Sequence, residues 1–329
     1  MLAKSRTDRR RFLVGASAMA VAATTKVNKA AATVAKRMRG IYPIAQTPCT
    51  PDNKLDFVRL ADQVKFCTRA KVPGLIWPQM ASGWVTLSES ERIAGTEALL
   101  EAAKGTPTEV IIGVQAKNND RALSERLAKH AAAHGAAGII SLPPENVSDP
   151  QIVEYYKAIG DATSLPLTIQ VIGETGADII GKVYKAVPTL ACIKDEAGDP
   201  LERISDVRKM TDGKVAIFAG NAARTFLKEM ELGFDGNNPA FTLCDILQRT
   251  FEMWHASKHR DAYDMLGRYA NFMNIPNSDP YGMIARGFFP EDAIIRSMPN
   301  WNRMEKLSGA DKLFIKRIFQ NFIRPYATA

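Results

Sequence analysis

A regular alternation between short apolar runs and longer helical patterns is the strongest constraint on the fold. Between residues 40 and 257, eight apolar runs each precede a segment with helical spacing. Strands that alternate with helices pair in parallel through right-handed crossovers. Eight such units favour a closed barrel over an open doubly wound sheet. The predicted strands are 40–46, 74–78, 109–114, 138–142, 167–172, 190–193, 215–219 and 233–237.

The predicted fold is therefore α/β, a (β/α)8 TIM barrel over residues 33–257 with a C-terminal helical appendage over 258–329. Beyond residue 257 the pattern is helical only, with helices predicted at 261–272 and 308–322. The helices predicted in the barrel are 56–70, 88–104, 119–134, 149–162, 177–186, 201–211, 222–232 and 241–257. Ser88 and Glu91 form a capping-box pattern at the start of the second of these.

Several functional classes lose support from missing motifs. No GxGxxG follows the first strand and no GxxxxGK[ST] occurs, which disfavours dinucleotide and P-loop sites. Two histidine pairs have i, i+4 spacing, His130 with His134 and His255 with His259, but neither has the Glu of an HExxH motif. We expect both pairs to be ordinary surface histidines. The four cysteines are widely spaced, so no structural zinc site is expected.

The N-terminus resembles an export signal. Residues 1–32 carry seven basic side chains and one acid, and so hold +6 of the formal net charge of +8. This uneven charge, without a basic face bearing aromatics, disfavours nucleic-acid binding. Arg9-Arg10-Arg11-Phe12-Leu13 precedes a short apolar run and then Ala30-Ala31-Ala32, the order of a twin-arginine signal peptide. We expect export by the twin-arginine machinery, cleavage near Ala32 and a periplasmic or secreted location.

Lys194 is the candidate nucleophile. It ends the predicted sixth strand, and function in such barrels lies at the C-terminal ends of the strands. Burying a lysine charge without a partner is costly, and a neutral amine attacks carbonyl carbons. The alternative is that the side chain has left the strand and extends into solvent. The strand ends offer no acidic cluster for a metal, which favours Schiff-base chemistry without a metal or organic cofactor.

Several segments in order resemble the dihydrodipicolinate synthase / N-acetylneuraminate lyase family of class I, pyruvate-type aldolases. They are the opening strand ending in Thr47-Pro48, Thr86-Leu87-Ser88-Glu89-Ser90-Glu91-Arg92, Leu165-Pro166-Leu167, the box Ile193-Lys194-Asp195-Glu196-Ala197-Gly198-Asp199, and Ala219-Gly220-Asn221. The resemblance covers about residues 40–300. It implies that Lys194 forms the Schiff base and that the protein is a dimer or tetramer.

The chain departs from this family at three functional positions. The loop Gln79-Met80-Ala81-Ser82-Gly83 replaces the family's Gly-Thr-Thr-Gly-Glu, which holds the keto-acid carboxylate. Gln170 stands where the family has a proton-relaying tyrosine, and an amide cannot shuttle a proton as a phenol does. Glu174 stands near the position of the synthases' carboxylate-binding arginine. These changes disfavour dihydrodipicolinate synthase itself.

We therefore expect a Schiff-base lyase, aldolase or hydratase-aldolase that acts on a keto acid or a sugar-derived carbonyl compound. Lys194 forms the imine and Gln170 orients the substrate, while Tyr42 or water moves protons. The expected substrate-binding residues are Thr47, Ala81, Ser82, Gly83, Gly220, Asn221 and Asn237. The alternative is an exported, non-catalytic protein that binds a small acid through Lys194. A metal-dependent aldolase is a third reading, disfavoured by the lack of ligands at the strand ends.

Overall fold

The computed structural model describes residues 37–173, 175–299, 301 and 304–328. The predicted signal peptide and Glu174 lie outside this described part. The strands, in chain order, are β1 Gly40–Ile41, β2 Thr47–Cys49, β3 Gly74–Trp77, β4 Glu109–Gly113, β5 Gly138–Ser141, β6 Leu167–Val171, β7 Leu190–Asp195, β8 Ala216–Ala219, β9 Gly236–Asn237 and β10 Ile294–Arg296.

Eight of these strands form one parallel sheet that closes on itself. Their order is β1-β9-β8-β7-β6-β5-β4-β3. Closure comes from Ile44, just after β1, which bridges to Ile76 of β3 on one side and to Ala240 on the other. Two backbone hydrogen bonds, from Ala45 N to Ile76 O and from Ile76 N to Pro43 O, complete this seam. The predicted (β/α)8 TIM barrel is confirmed.

Side chains alternate between the inside of the barrel and the layer beneath the helices. A compact interior cluster includes Ile44, Ile76, Ile111 and Phe218. Their neighbours along each strand join a larger cluster that packs the sheet against the helices. This alternation follows from the two-residue period of a strand and fills the barrel interior with side chains.

The eight barrel helices follow the strands in the predicted order, although α7 is shorter than predicted, and α10 was not predicted. They are α1 Phe57–Ala70, α2 Glu89–Ala103, α3 Arg121–Ala133, α4 Asp149–Ala162, α5 Ala177–Ala186, α6 Pro200–Met210, α7 Phe226–Glu231, α8 Cys244–His255, α9 His259–Met273, α10 Ser278–Ala285 and α11 Gly309–Ile318. The capping box of Ser88 and Glu91 is present at α2. Within the described residues, no helix is long and apolar enough to cross a membrane.

The C-terminal region carries the predicted helices and, in addition, the short strand β10, which was not predicted. β10 pairs antiparallel with β2, so residues far apart in sequence form a two-stranded sheet beside the barrel. Arg286, after α10, forms a two-fold ion pair with Asp245 of α8, at 2.9 and 3.0 Å. Both side chains are almost fully buried. Asp245 also accepts a hydrogen bond from the backbone of Thr328, which ties the end of the chain to the same place.

Candidate active site

Lys194 lies at the C-terminal end of β7 and faces the barrel interior. Cys192, two residues earlier, belongs to the interior cluster, whereas Ile193 belongs to the outer layer. Lys194 therefore shares the inward direction of Cys192. It is 5% exposed, so the alternative of a solvent-extended side chain is wrong. Its register neighbour on β6 is Gln170.

A cavity of about 580 Å³ covers this end of the barrel. Of the predicted site residues, it brings together Lys194, Gln170, Ala81 and Asn221. Thr47, Ser82, Gly83, Gly220 and Asn237 do not line it. The residues of its wall outside the predicted site set include Met80, Glu196, Arg224, Asn238, Met273, Asp279 and Trp301. Its volume is in the range of small-molecule sites.

Glu196 is the partner of Lys194. Its Oε2 lies 3.3 Å from Lys194 Nζ and accepts a hydrogen bond from Gln170 Nε2 at 2.5 Å. Its Oε1 accepts one from the backbone N–H of Asn221 at 2.9 Å. Burial acts to raise the pKa of Glu196, but the Lys194 charge and these hydrogen bonds hold that pKa below its usual value. The lysine is thus a paired charge beside an ionised carboxylate, which can accept a proton.

Gly220 gives Glu196 and Lys194 the space they occupy. A Cβ on residue 220 would lie 2.0 Å from Glu196 Oε1 and 2.8 Å from Lys194 Cε. The next three residues, 221–223, have φ between 45° and 56°, the left-handed region. This turn directs the Asn221 N–H at the Glu196 carboxylate, and the Tyr269 hydroxyl holds it by donating to Ala222 O.

The hydroxyl groups of Thr47 and Ser82 hold the loop after β3. Thr47 Oγ1 donates to Ser82 O at 2.6 Å and accepts from Trp77 Nε1. Ser82 Oγ donates to Ala45 O and accepts from Gln79 N. The N–H groups of Ser82 and Gly83 are also bonded within this loop. Its side of the cavity is formed by Met80 and Ala81.

A second buried carboxyl lies behind the Gly220 turn. Glu229 accepts hydrogen bonds from Asn237 Nδ2 and from Thr225 Oγ1, both at 2.8 Å. Asn237 Nδ2 also lies 3.3 Å from Gly220 O. Burial raises the pKa of Glu229 to about 7. Asn237 therefore connects Glu229 to the backbone of Gly220 and stabilises the turn on the side away from the cavity.

Tyr42 is not brought to the cavity. Its hydroxyl donates to Glu109 Oε2 at 2.5 Å. Glu109 is the first residue of β4, which places this contact at the opposite end of the barrel. Burial and the neighbouring carboxylate raise the pKa of Tyr42 far above its usual value. The prediction that Tyr42 moves protons at the site is not supported.

Three acceptor oxygens in residues of the cavity wall have no partner among the described residues. They are Gln170 Oε1, Asn238 Oδ1 and Asp279 Oδ1. Both amide nitrogens are already engaged, Gln170 Nε2 with Glu196 and Asn238 Nδ2 with Tyr42 O, which fixes the orientation of both amides. Burial raises the pKa of Asp279 to about 6. The wall therefore offers acceptor oxygens without partners, beside the donor side chains of Lys194, Asn221, Arg224 and Trp301.

Local sequence signals for the unpredicted residues differ in strength. Glu196 follows Lys194 by two residues, a spacing that puts both side chains on one side of an extended chain. Met273, Asp279 and Trp301 come from the C-terminal region, and no local pattern connects them to the strand ends. Among the described residues, the one group of side chains close enough to share a metal ion is Glu97, His130 and His134, none of which lines the cavity.

Comparisons with known proteins agree with this architecture. The model of the dihydrodipicolinate synthetase family matches residues 37–259. The L-2-keto-3-deoxyarabonate dehydratase of Azospirillum brasilense is 23% identical over 79% of this chain and 87% of its own length. The 4-hydroxy-tetrahydrodipicolinate synthase of Desulforamulus reducens is 27% identical over 58% of this chain, and the match spans 65% of the synthase, just under two thirds.

Solved structures show the same fold. The N-acetylneuraminate lyase of Proteus mirabilis has a TM-score of 0.76 at 15% identity, over 88% of this chain and all of that one. The dihydrodipicolinate synthase of Rhodopseudomonas palustris has a TM-score of 0.74 at 21% identity, over 86% of this chain and 97% of that one. Because the family model matches more than half of the sequence, the chain belongs to the dihydrodipicolinate synthetase family, whose members are lyases and synthases of the class I aldolase type.

Proposed function

We propose that the protein is a Schiff-base lyase for a hydroxylated 2-keto acid, with Lys194 as the imine-forming residue. The observation that carries this proposal is the ion pair of the buried Lys194 with the partly buried Glu196 at the base of a cavity of substrate size. Gln170 cannot relay protons as the family tyrosine does. Glu196 supplies a titratable group for this task, next to Lys194.

Imine formation moves two protons from nitrogen to oxygen. Glu196 accepts the first from the Lys194 ammonium group, and the neutral amine attacks C2 of the keto acid. The alkoxide formed by this attack takes the second proton from the nitrogen, which gives the carbinolamine. The carbinolamine then loses its hydroxyl group as water, with the first proton returned from Glu196. The product is a protonated imine, formed with release of one water molecule.

The second stage uses the imine as an electron sink. Glu196 accepts a proton from C3, and the electron pair moves through C2 to the nitrogen. Loss of the C4 hydroxyl as water then gives dehydration, with the departing group protonated by Glu196. Cleavage between C3 and C4 would instead require the C4 hydroxyl proton to be removed. The dehydratase named above, which this chain covers over most of its length, favours dehydration.

The acceptor oxygens without partners support a hydroxylated substrate. Hydroxyl groups donate to carbonyl and carboxylate oxygens, and Gln170, Asn238 and Asp279 each have one such oxygen without a partner. At the other side of the cavity, the N–H groups of Met80 and Ala81 suit the substrate carboxylate. Thr47, Ser82 and Gly83, which we expected to bind the carboxylate, do not line the cavity.

Borohydride reduction tests the imine. The full chain is mixed with pyruvate or with a five- or six-carbon 3-deoxy-2-keto acid, reduced, and weighed intact. We expect one adduct on the peptide that contains Lys194, and none in Lys194→Ala. Lys185→Ala is the matched control, because Lys185 is an exposed lysine on α5. Absence of an adduct with every keto acid, while binding is measurable, would refute the proposal in favour of the non-catalytic binding protein.

We also propose that the chain is exported through the twin-arginine pathway and forms a dimer or tetramer. The motif Arg9-Arg10-Arg11-Phe12-Leu13 supports export, and the family resemblance supports assembly. Replacement of Arg9 and Arg10 by lysine should leave an unprocessed chain in the cytoplasm, while the unchanged protein is cleaved near Ala32. An intact N-terminus in the cytoplasm for the unchanged protein would contradict export. A molar mass equal to that of one chain, measured by light scattering, would contradict assembly.

A further inference from the structure

A convergent group of three side chains lies on the outer surface of the barrel. His130 of α3 and His134, which caps the same helix, are separated by one helical turn. Glu97 projects from the neighbouring helix α2. One ligand atom from each residue lies within 4.8 Å of the other two.

The separations suit a tetrahedral metal ion. Glu97 Oε1 lies 3.0 Å from His130 Nε2 and 3.7 Å from His134 Nε2. Zinc bonds to nitrogen and oxygen are about 2.0–2.2 Å long, so neighbouring ligands of a tetrahedral zinc ion lie about 3.4 Å apart. The two separations bracket this value, and the exposed side chains can adjust to bring the histidine nitrogens together.

The hydrogen bonding of His134 strengthens this interpretation. Its Nδ1 lies 2.9 Å from the carbonyl oxygen of His130. A carbonyl oxygen only accepts, so Nδ1 is the donor in this contact, and Nε2 is the ring nitrogen that faces Glu97 and is placed to bind a metal. The same Nδ1–carbonyl hydrogen bond orients metal-binding histidines in known sites.

We propose that Glu97, His130 and His134 form a zinc-binding site that links α2 to α3, with water as the fourth ligand. The expectation that this histidine pair is an ordinary surface pair is thereby revised. The other pair does not have this arrangement. His255 contacts Arg39 and His259 stacks on Trp254, and neither belongs to a group that could share a metal ion among the described residues.

Calorimetric titration with zinc chloride tests the site, on the full chain without a histidine tag. We expect one zinc ion per chain with a Kd below about 10 µM, and at least tenfold weaker binding in Glu97→Gln and in His134→Ala. His259→Ala is the matched control and should bind as the unchanged protein does. Zinc should also raise the melting temperature, because it binds the native state.

Three outcomes would overturn the proposal. They are an absence of stoichiometric binding, equal weakening by His259→Ala and His134→Ala, and unchanged binding in Glu97→Gln. Circular dichroism establishes that each variant is folded before it is titrated. The test is independent of the Schiff-base chemistry, since none of the three ligands lines the cavity.

Discussion

Replacement of Gly220 by alanine should damage the site without removing any of its functional groups. The new methyl carbon would lie 2.0 Å from Glu196 Oε1 and 2.6 Å from its Cδ, whereas ordinary contacts begin at 3.4 Å. The carboxylate must therefore move by more than 1 Å. Oε1 would then lose its hydrogen bond from Asn221 N, while Oε2 remains attracted to Lys194 and Gln170.

The size of the effect follows from these contacts. A hydrogen bond to a charged group contributes about 1.5–3 kcal/mol, so we expect the free energy of unfolding to fall by about that amount. A displacement of about 1 Å in a catalytic group costs on the order of 10²-fold in rate. Gly220→Ala should therefore form the borohydride-trapped adduct about 100-fold more slowly than the unchanged protein.

Timed reduction with pyruvate and urea denaturation measure the two quantities. Gly267→Ala is the control, because residue 267 lies on α9 with no atom within 4 Å of the added carbon. That variant should be more stable by about 0.5–1 kcal/mol and should react at the normal rate. If Gly220→Ala reacts as fast as the unchanged protein, the assigned geometry of Glu196 is wrong.

Three further substitutions test other contacts. Glu196→Gln keeps the shape of the side chain but cannot accept a proton, so turnover should fall by about 10²- to 10⁴-fold; turnover within tenfold of the unchanged protein would contradict its role in proton transfer. The pKa of Glu229 is about 7 in the folded protein and 4.5 in an unfolded chain, so the folded state binds a proton more tightly. The free energy of unfolding should therefore fall by about 3 kcal/mol as the pH rises from 4.5 to 7. Urea denaturation of Glu229→Gln over the same pH range should not show this decrease. Asp245→Ala leaves the buried charge of Arg286 without its partner, and unfolding should become easier by about 3–5 kcal/mol; a change under 1 kcal/mol would show that the ion pair is dispensable.

The strand and helix order could be predicted because each element carries its own periodic pattern. Residues 190–193 are apolar, and the alternation of side chains along β7 directs Lys194 into the barrel. Helix α7 is shorter than predicted because residues 221–223 take left-handed backbone conformations, which no side-chain pattern announces. Similarly, β10 was missed because a three-residue strand carries almost no periodic signal.

The floor of the site was predictable and its walls were not. Gln170 and Lys194 are register partners on the neighbouring strands β6 and β7. The order of strands in the sequence is therefore enough to predict that they lie side by side. Thr47 and Ser82 carry hydroxyl groups that suggested substrate binding, but these hydroxyls are engaged with the backbone of the loop and of Ala45. Asp279 reaches the cavity through tertiary packing, since its carbonyl oxygen is fixed by Gln46 and Thr242. Contacts of this kind, between segments far apart in the chain, cannot be predicted from the spacing of residues in the sequence.

The residues that line the cavity come from two parts of the chain, the barrel strands and the region after α8. Lys194, Glu196 and Gln170 come from adjacent barrel strands and their ends, whereas Met273, Asp279 and Trp301 come from the region after α8. On the proposed function, substitutions in that later region can reshape the pocket for longer, shorter or differently substituted acids while Lys194 and Glu196 stay in place. The barrel then carries the reaction, and its C-terminal addition is where a new substrate range can evolve.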